Sequence, residues 1–104
     1  MIIVMARVKI RPGRMQEALD LSNKHVARSR LEPGCISHGV YRDGEHDNDL
    51  VFVEERESEQ ALKTHFAVPA SQSFVKELVG MSVGRQQFRL YSATEMPFPH
   101  LGAA

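Results

Sequence analysis

Hydrophobic and polar positions alternate from the start of the chain. Ile2, Val4, Ala6, Val8 and Ile10 fall on one side of a period-two pattern and Ile3, Met5, Arg7 and Lys9 on the other, which predicts a strand over residues 2–10. The second side also begins apolar, so both faces of the sheet are expected to be covered there. Pro12-Gly13 stops the strand. The spacing then becomes helical over residues 14–31, with Met15, Ala18, Leu19, Ser22, Val26 and Ser29 in one stripe and Glu17, Lys24, Arg28 and Arg30 mostly toward solvent. Glu32-Pro33-Gly34 ends this helix, because proline disfavours helix in the residue before it and glycine serves the turn.

A second strand is predicted over residues 35–43, with Ile36, His38, Val40 and Arg42 on one face, followed by a polar hairpin loop from Asp43-Gly44 to Asn48-Asp49. The apolar run Leu50-Val51-Phe52-Val53 then leads into Glu54-Glu55-Arg56-Glu57, a third strand over residues 50–57. Ser58 opens a short helix over 59–66, with Ala61, Leu62, His65 and Phe66 on its apolar side. Pro69 interrupts before another helix over 70–79, carrying Phe74 and Leu78, with Gly80 as its expected C-cap. In a last strand over 85–94, Gln86, Phe88, Leu90 and Ser92 share one face, and Arg85, Gln87, Arg89 and Tyr91 the other. Residues 95–104 read as an extended tail on a single domain of 1–104.

This β-α-β-β-α-β order is the split βαβ, or ferredoxin-like, α+β fold: a four-stranded antiparallel sheet with helices on one face. The other face carries Ile3, Met5 and Tyr91 with apolar residues of the middle strands, too much apolar surface to leave wet on a monomer. The expectation is a homodimer, a dimeric α+β barrel in which two sheets stack and enclose a dry chamber.

Composition narrows the function. Thirteen Lys and Arg balance thirteen Asp and Glu with no basic cluster, so no nucleic-acid partner is expected. No apolar run approaches the roughly 20 residues of a membrane span, and the first residues lack a signal-peptide pattern, so a cytoplasmic protein without membrane association is expected. Cys35 is the only cysteine, which rules out an intrachain disulfide, and no Cys/His set has zinc spacing, so no metal is expected. Cys35 itself reads as a small buried filler, and Met1 and Met5 as core rather than copper ligands.

Gly13 after the first strand, Glu32-Pro33-Gly34-Cys35 before the second, and Val53-Glu54-Glu55-Arg56-Glu57-Ser58 running on to His65 resemble the antibiotic biosynthesis monooxygenase superfamily, in particular its quinol monooxygenase-like members. The resemblance covers residues 2–94 and implies a dimeric α+β barrel that oxidises quinol- or anthrone-like aromatic substrates with dioxygen and no cofactor. Arg56 stands where that family often has Trp, and Ala70 where it often has a second His. The haem-degrading branch uses an Asn on the first strand, where this chain offers Ala6 and Arg7, so haem degradation is not expected.

Such chemistry needs little equipment. Triplet dioxygen reacts with a singlet substrate only after an electron-rich phenolate or enolate passes it one electron. The protein must therefore deprotonate the substrate, hold it in an apolar cavity and stabilise the anion. His65, on the apolar side of its helix, is the first candidate base, against a packed core histidine. His25 borders the stripe of the first helix as a surface residue or as the counterpart of a functional histidine in the isomerase branch. His38 lines the chamber or packs under the helices, depending on which face of its strand is which. Glu54 and Arg56, on one face with Phe52, form a polar pocket mouth or a solvent ion pair contributing about 0–1 kcal/mol. Arg89 and Tyr91 would bind an anionic oxygen, and Phe52, Phe66 and Tyr91 would wall the cavity. Two other functions fit: an isomerase of a small phosphorylated hydroxyketone, with His25 as acid/base and Arg85 or Arg89 on the anion, and a non-catalytic dimer that binds an apolar small molecule.

Overall fold

A computed structural model describes residues 1–99; the end of the expected tail, residues 100–104, lies outside the described residues. The chain runs β1 (Ile2–Lys9), α1 (Met15–Ser29), β2 (Cys35–Arg42), β3 (Asp49–Arg56), α2 (Glu59–Ala67), α3 (Pro69–Gly80) and β4 (Gln87–Ser92). The strands form one antiparallel sheet in the order β2-β3-β1-β4, the ferredoxin-like arrangement the element order predicts.

The core lies where the period-two and helical patterns meet. Val4, Ala6 and Val8 of β1, Ile10 just after it, and Leu50 and Phe52 of β3 face Ala18 and Val26 of α1 and Phe74 and Leu78 of α3. The Ser58 side chain caps α2 by accepting from the Ala61 N–H at 3.1 Å. Val68 is extended at ψ 125°, as a residue before proline prefers, so the chain turns there from α2 into α3 with Pro69 in the first helical turn. Gly34 (φ +83°) is irreplaceable on two counts: its backbone is left-handed, and an added Cβ would sit 2.5 Å from Ala61 Cβ. That contact holds the start of β2 against α2.

Three local expectations change. Gly80 is still helical, and Met81 is the C-cap. A bulge between Cys35 and Ser37 breaks the alternation of β2, so Ile36 leaves the face of His38 and is 51% exposed. The last strand is shorter than its pattern at both ends: it starts after Arg85 and Gln86, and Ala93 to Pro99 have no regular structure. The helices pack over β2, β3 and one another but stop short of β4, leaving Phe88 and Leu90 on the helix side about half exposed. On the opposite face Met5, Tyr41 and Tyr91 are exposed, with Ile3, Val51 and Val53 half-buried between them.

A candidate active site between the helices and the sheet

The uncovered strip along β4 is the mouth of a cavity of about 320 Å³ between the helix layer and the sheet. This cavity lies within a single chain, on the helix side of the sheet, and is distinct from the chamber expected between two stacked sheets. Val4, Ala6 and Phe52 form its floor, Phe74 and Val75 its roof, and Phe88 its rim. Its inner end holds His25 from α1, His38 from β2 and His65 from α2, all buried, with ring centroids 5.4–5.8 Å apart. Each arrives there for a local reason. His25 falls on the buried stripe of α1 beside Ser22, Val26 and Ser29 rather than at its edge, and stacks on Phe74 at 3.9 Å between centroids. His38 emerges from the bulge of β2 onto the helix side. His65 lies one turn after Leu62 on the buried face of α2.

Behind the histidines lies a buried charged network. Arg56 is completely buried, and its Nε and Nη2 donate to Glu54 Oε2 at 2.9 and 2.8 Å. Its Nη1 donates to Glu32 Oε1 at 3.1 Å and its Nη2 to Ser29 Oγ at 2.7 Å. The pair read as either a pocket mouth or a solvent contact is therefore an interior one: Glu54 reaches the cavity wall, and Arg56 stands behind it. Each histidine uses Nδ1 to meet this network. His65 Nδ1 is 2.6 Å from Glu32 Oε1, His38 Nδ1 is 2.6 Å from Ser29 Oγ, and His25 Nδ1 is 2.7 Å from Arg28 Nη2.

These partners assign tautomers. A carboxylate has no hydrogen to give, so His65 carries its proton on Nδ1 and, when neutral, keeps the Nε2 lone pair. That lone pair is 3.7 Å from Glu54 Oε2. A guanidinium only donates, so neutral His25 accepts on Nδ1 and carries its proton on Nε2. The three rings are thus unequal. Burial, and next the neighbouring cationic groups, hold His25 and His38 down at about 3, far below the usual 6.5, so both are neutral near pH 7 and are weak bases. His65, held by one carboxylate and facing another, has the arrangement that orients a histidine base and stabilises the imidazolium it becomes.

The depressed histidines make stability pH-dependent. The unfolded chain binds protons at His25 and His38 from about pH 6.5 downward, and the folded chain only near pH 3, so the contribution is complete above 6.5 and is lost as pH falls toward 3. The expected loss is up to about 1.4 kcal/mol per pH unit for each histidine. Urea unfolding from pH 7.5 to 5 measures it; His38→Asn halves the slope, and a flat profile contradicts the assignment.

The cavity gathers His25, His38, His65, Phe52, Glu54 and Phe66 of the expected site residues. It does not gather Arg89 and Tyr91, which lie on the opposite face of the sheet, paired across from Met5 and Ile3 and beside Arg7 and Val51. Arg85 is exposed in the turn before β4. Sequence reasoning gave no site role to Glu32, read as the end of a helix and as part of the family resemblance, or to Ser29, read as part of a stripe. The available signal was a serine and a glutamate one turn apart at the end of a helix whose stripe is bordered by a histidine.

Residues 1–77 match the family model described as antibiotic biosynthesis monooxygenase. An uncharacterized protein of Synechocystis sp., sll1783, is 32% identical over 94 residues, 90% of this chain and 64% of that relative, so the chain spans less than two thirds of its length. A Bacillus subtilis protein carrying the name "Putative monooxygenase YcnE" is 30% identical over 76% of this chain and 86% of its own. A crystal structure of an antibiotic biosynthesis monooxygenase superposes with a TM-score of 0.85 at 25% identity, covering 91% of this chain and all of that one. The chain belongs to the antibiotic biosynthesis monooxygenase family.

Proposed function

We propose that the protein is a cofactor-independent monooxygenase that oxidises a quinol- or anthrone-like aromatic molecule with dioxygen. The observation that carries this reading is the meeting of an apolar, ring-sized cavity with a carboxylate-held histidine at its closed end. A planar substrate enters past Phe88 and Phe66, and its acidic C–H or O–H gives its proton to His65 Nε2. The Nε2–H of neutral His25 donates to the resulting oxyanion, and the apolar walls exclude water. The anion passes one electron to dioxygen, the radicals combine into a C–O bond, and the peroxide O–O bond breaks as a carbonyl forms. One oxygen atom stays on the product, and the other leaves as water with the protons the substrate lost. Family membership and the name given to YcnE support the same reading.

The open sheet face around Met5, Val53 and Tyr91 would dock on a second copy, making the cytoplasmic homodimer expected from the sequence. The isomerase reading loses support, because Arg85 and Arg89, its anion ligands, do not line the cavity.

Oxygen uptake with a panel of quinols and anthrones tests the proposal, using chelator-treated protein with and without added flavin. One dioxygen consumed per product formed, with no need of flavin, is the expected result. No uptake with any of the panel overturns it; tight retention of a ring compound without uptake marks a binding protein, and turnover without uptake an isomerase.

A further inference from the structure

We infer that His25, His38 and His65 form a binding site for a divalent transition-metal ion of the zinc, cobalt, nickel and copper group, opening onto the cavity. One ring nitrogen from each of the three buried histidines lies within 4.8 Å of the others. Imidazole suits these ions, and ligands at the usual distance of about 2.1 Å stand roughly 3.4 Å apart, so a small rotation of the rings closes the site. The histidines come from three separate elements, each is anchored at Nδ1 by a different outer group, and the three Nε2 atoms make no hydrogen bond among the described residues. His65, whose Nδ1 donates to Glu32, is held as a protein holds a ligating histidine, with the far nitrogen fixed and the near one free. The His65 lone pair lies 3.7 Å from Glu54 Oε2 with no hydrogen between them, so a cation there would satisfy the lone pair and face a carboxylate that already accepts from Arg56. The fourth direction is the apolar cavity, which leaves a coordination position open.

One contact opposes loading. Arg28 Nη2 donates to His25 Nδ1, which keeps the His25 proton on Nε2, the atom the metal needs. Ligation through Nε2 moves that proton to Nδ1, and Arg28 must let go. It has a place to go: Glu32 Oε2 is buried without a hydrogen-bond partner, 3.7 Å from Arg28 Nη1. Arg28 therefore acts as a latch that moves from His25 to Glu32 when the ion binds. A loaded site occupies the His65 lone pair and so would block proton abstraction there.

Titration of the chelator-treated chain with cobalt(II), without substrate, tests the site independently of the oxygenase reading. We expect one ion per chain, with the visible bands of a four- or five-coordinate ion that zinc abolishes by displacement. Paramagnetic shifts should reach the rings of His25, His38 and His65 and leave His46 in the hairpin loop unmoved. His38→Ala should lose the bands. Arg28→Met, which removes the latch, should tighten binding about 10-fold, the lower end of the effect usual for outer-shell partners. Absence of the bands, shifts confined to other histidines, or bands that persist in His38→Ala overturn the proposal, and the ring shifts decide the matter in the unmutated chain should the variant fail to fold.

Discussion

Replacing Arg56 with methionine is expected to destabilise the fold by about 3–5 kcal/mol, the cost of leaving buried carboxylates without their cation. Arg56 is completely buried and supplies two hydrogen bonds to Glu54, one to Glu32 and one to Ser29. Methionine fills much of the volume but gives no donor, and Glu54, 4% exposed, cannot reach water. For a domain whose whole stability is roughly 5–15 kcal/mol, this is a large fraction. Urea unfolding at pH 7 measures it. The double change Arg56→Met with Glu54→Met should recover much of the loss, since removing both charges leaves less to compensate. A single-variant loss below about 1 kcal/mol would mean that the arginine behaves as a surface residue and the network is not what holds the site.

The second large effect concerns chemistry. His65→Gln should lower kcat/KM for quinol oxidation by about 100- to 10,000-fold, the range attributed to a positioned proton acceptor. Glutamine retains an N–H for Glu32 and a similar shape, so the urea midpoint should move little while activity falls. Glu32→Gln should cost activity as well, because the amide no longer forces the His65 proton onto Nδ1. Steady-state oxygen uptake in the three proteins measures this. Full activity in His65→Gln would move the base elsewhere; His25 and His38, both held down at about 3, are poorly suited to replace it.

The architecture was legible because each element declares itself locally. The alternation of residues 2–10, the stripe of α1, Ser58 and Pro69 each follow from short-range rules, and their order leaves one common topology. Much of the site was not. Glu54 and Arg56, two apart at a strand end, read locally as either a pocket mouth or a solvent pair; only Glu32 and Ser29, brought over from the end of α1, make them interior. The face of His38 depends on the bulge at Cys35–Ser37, which no residue pattern announces. Arg89 and Tyr91 were correctly placed together on one face of β4, but the chamber opens on the other, since the gap that makes it is set by how far the helices reach across the sheet.

Nitrogen NMR of the imidazole rings, with and without a non-oxidisable naphthol, reads the proton positions on which the chemistry of the site depends. The hydrogen-bond pattern predicts that neutral His65 carries its proton on Nδ1 and neutral His25 on Nε2, and that the ligand shifts His65 Nε2 more than the nitrogens of the exposed His46. A His65 proton found on Nε2, or a bound naphthol that leaves all three buried rings unmoved, would contradict it.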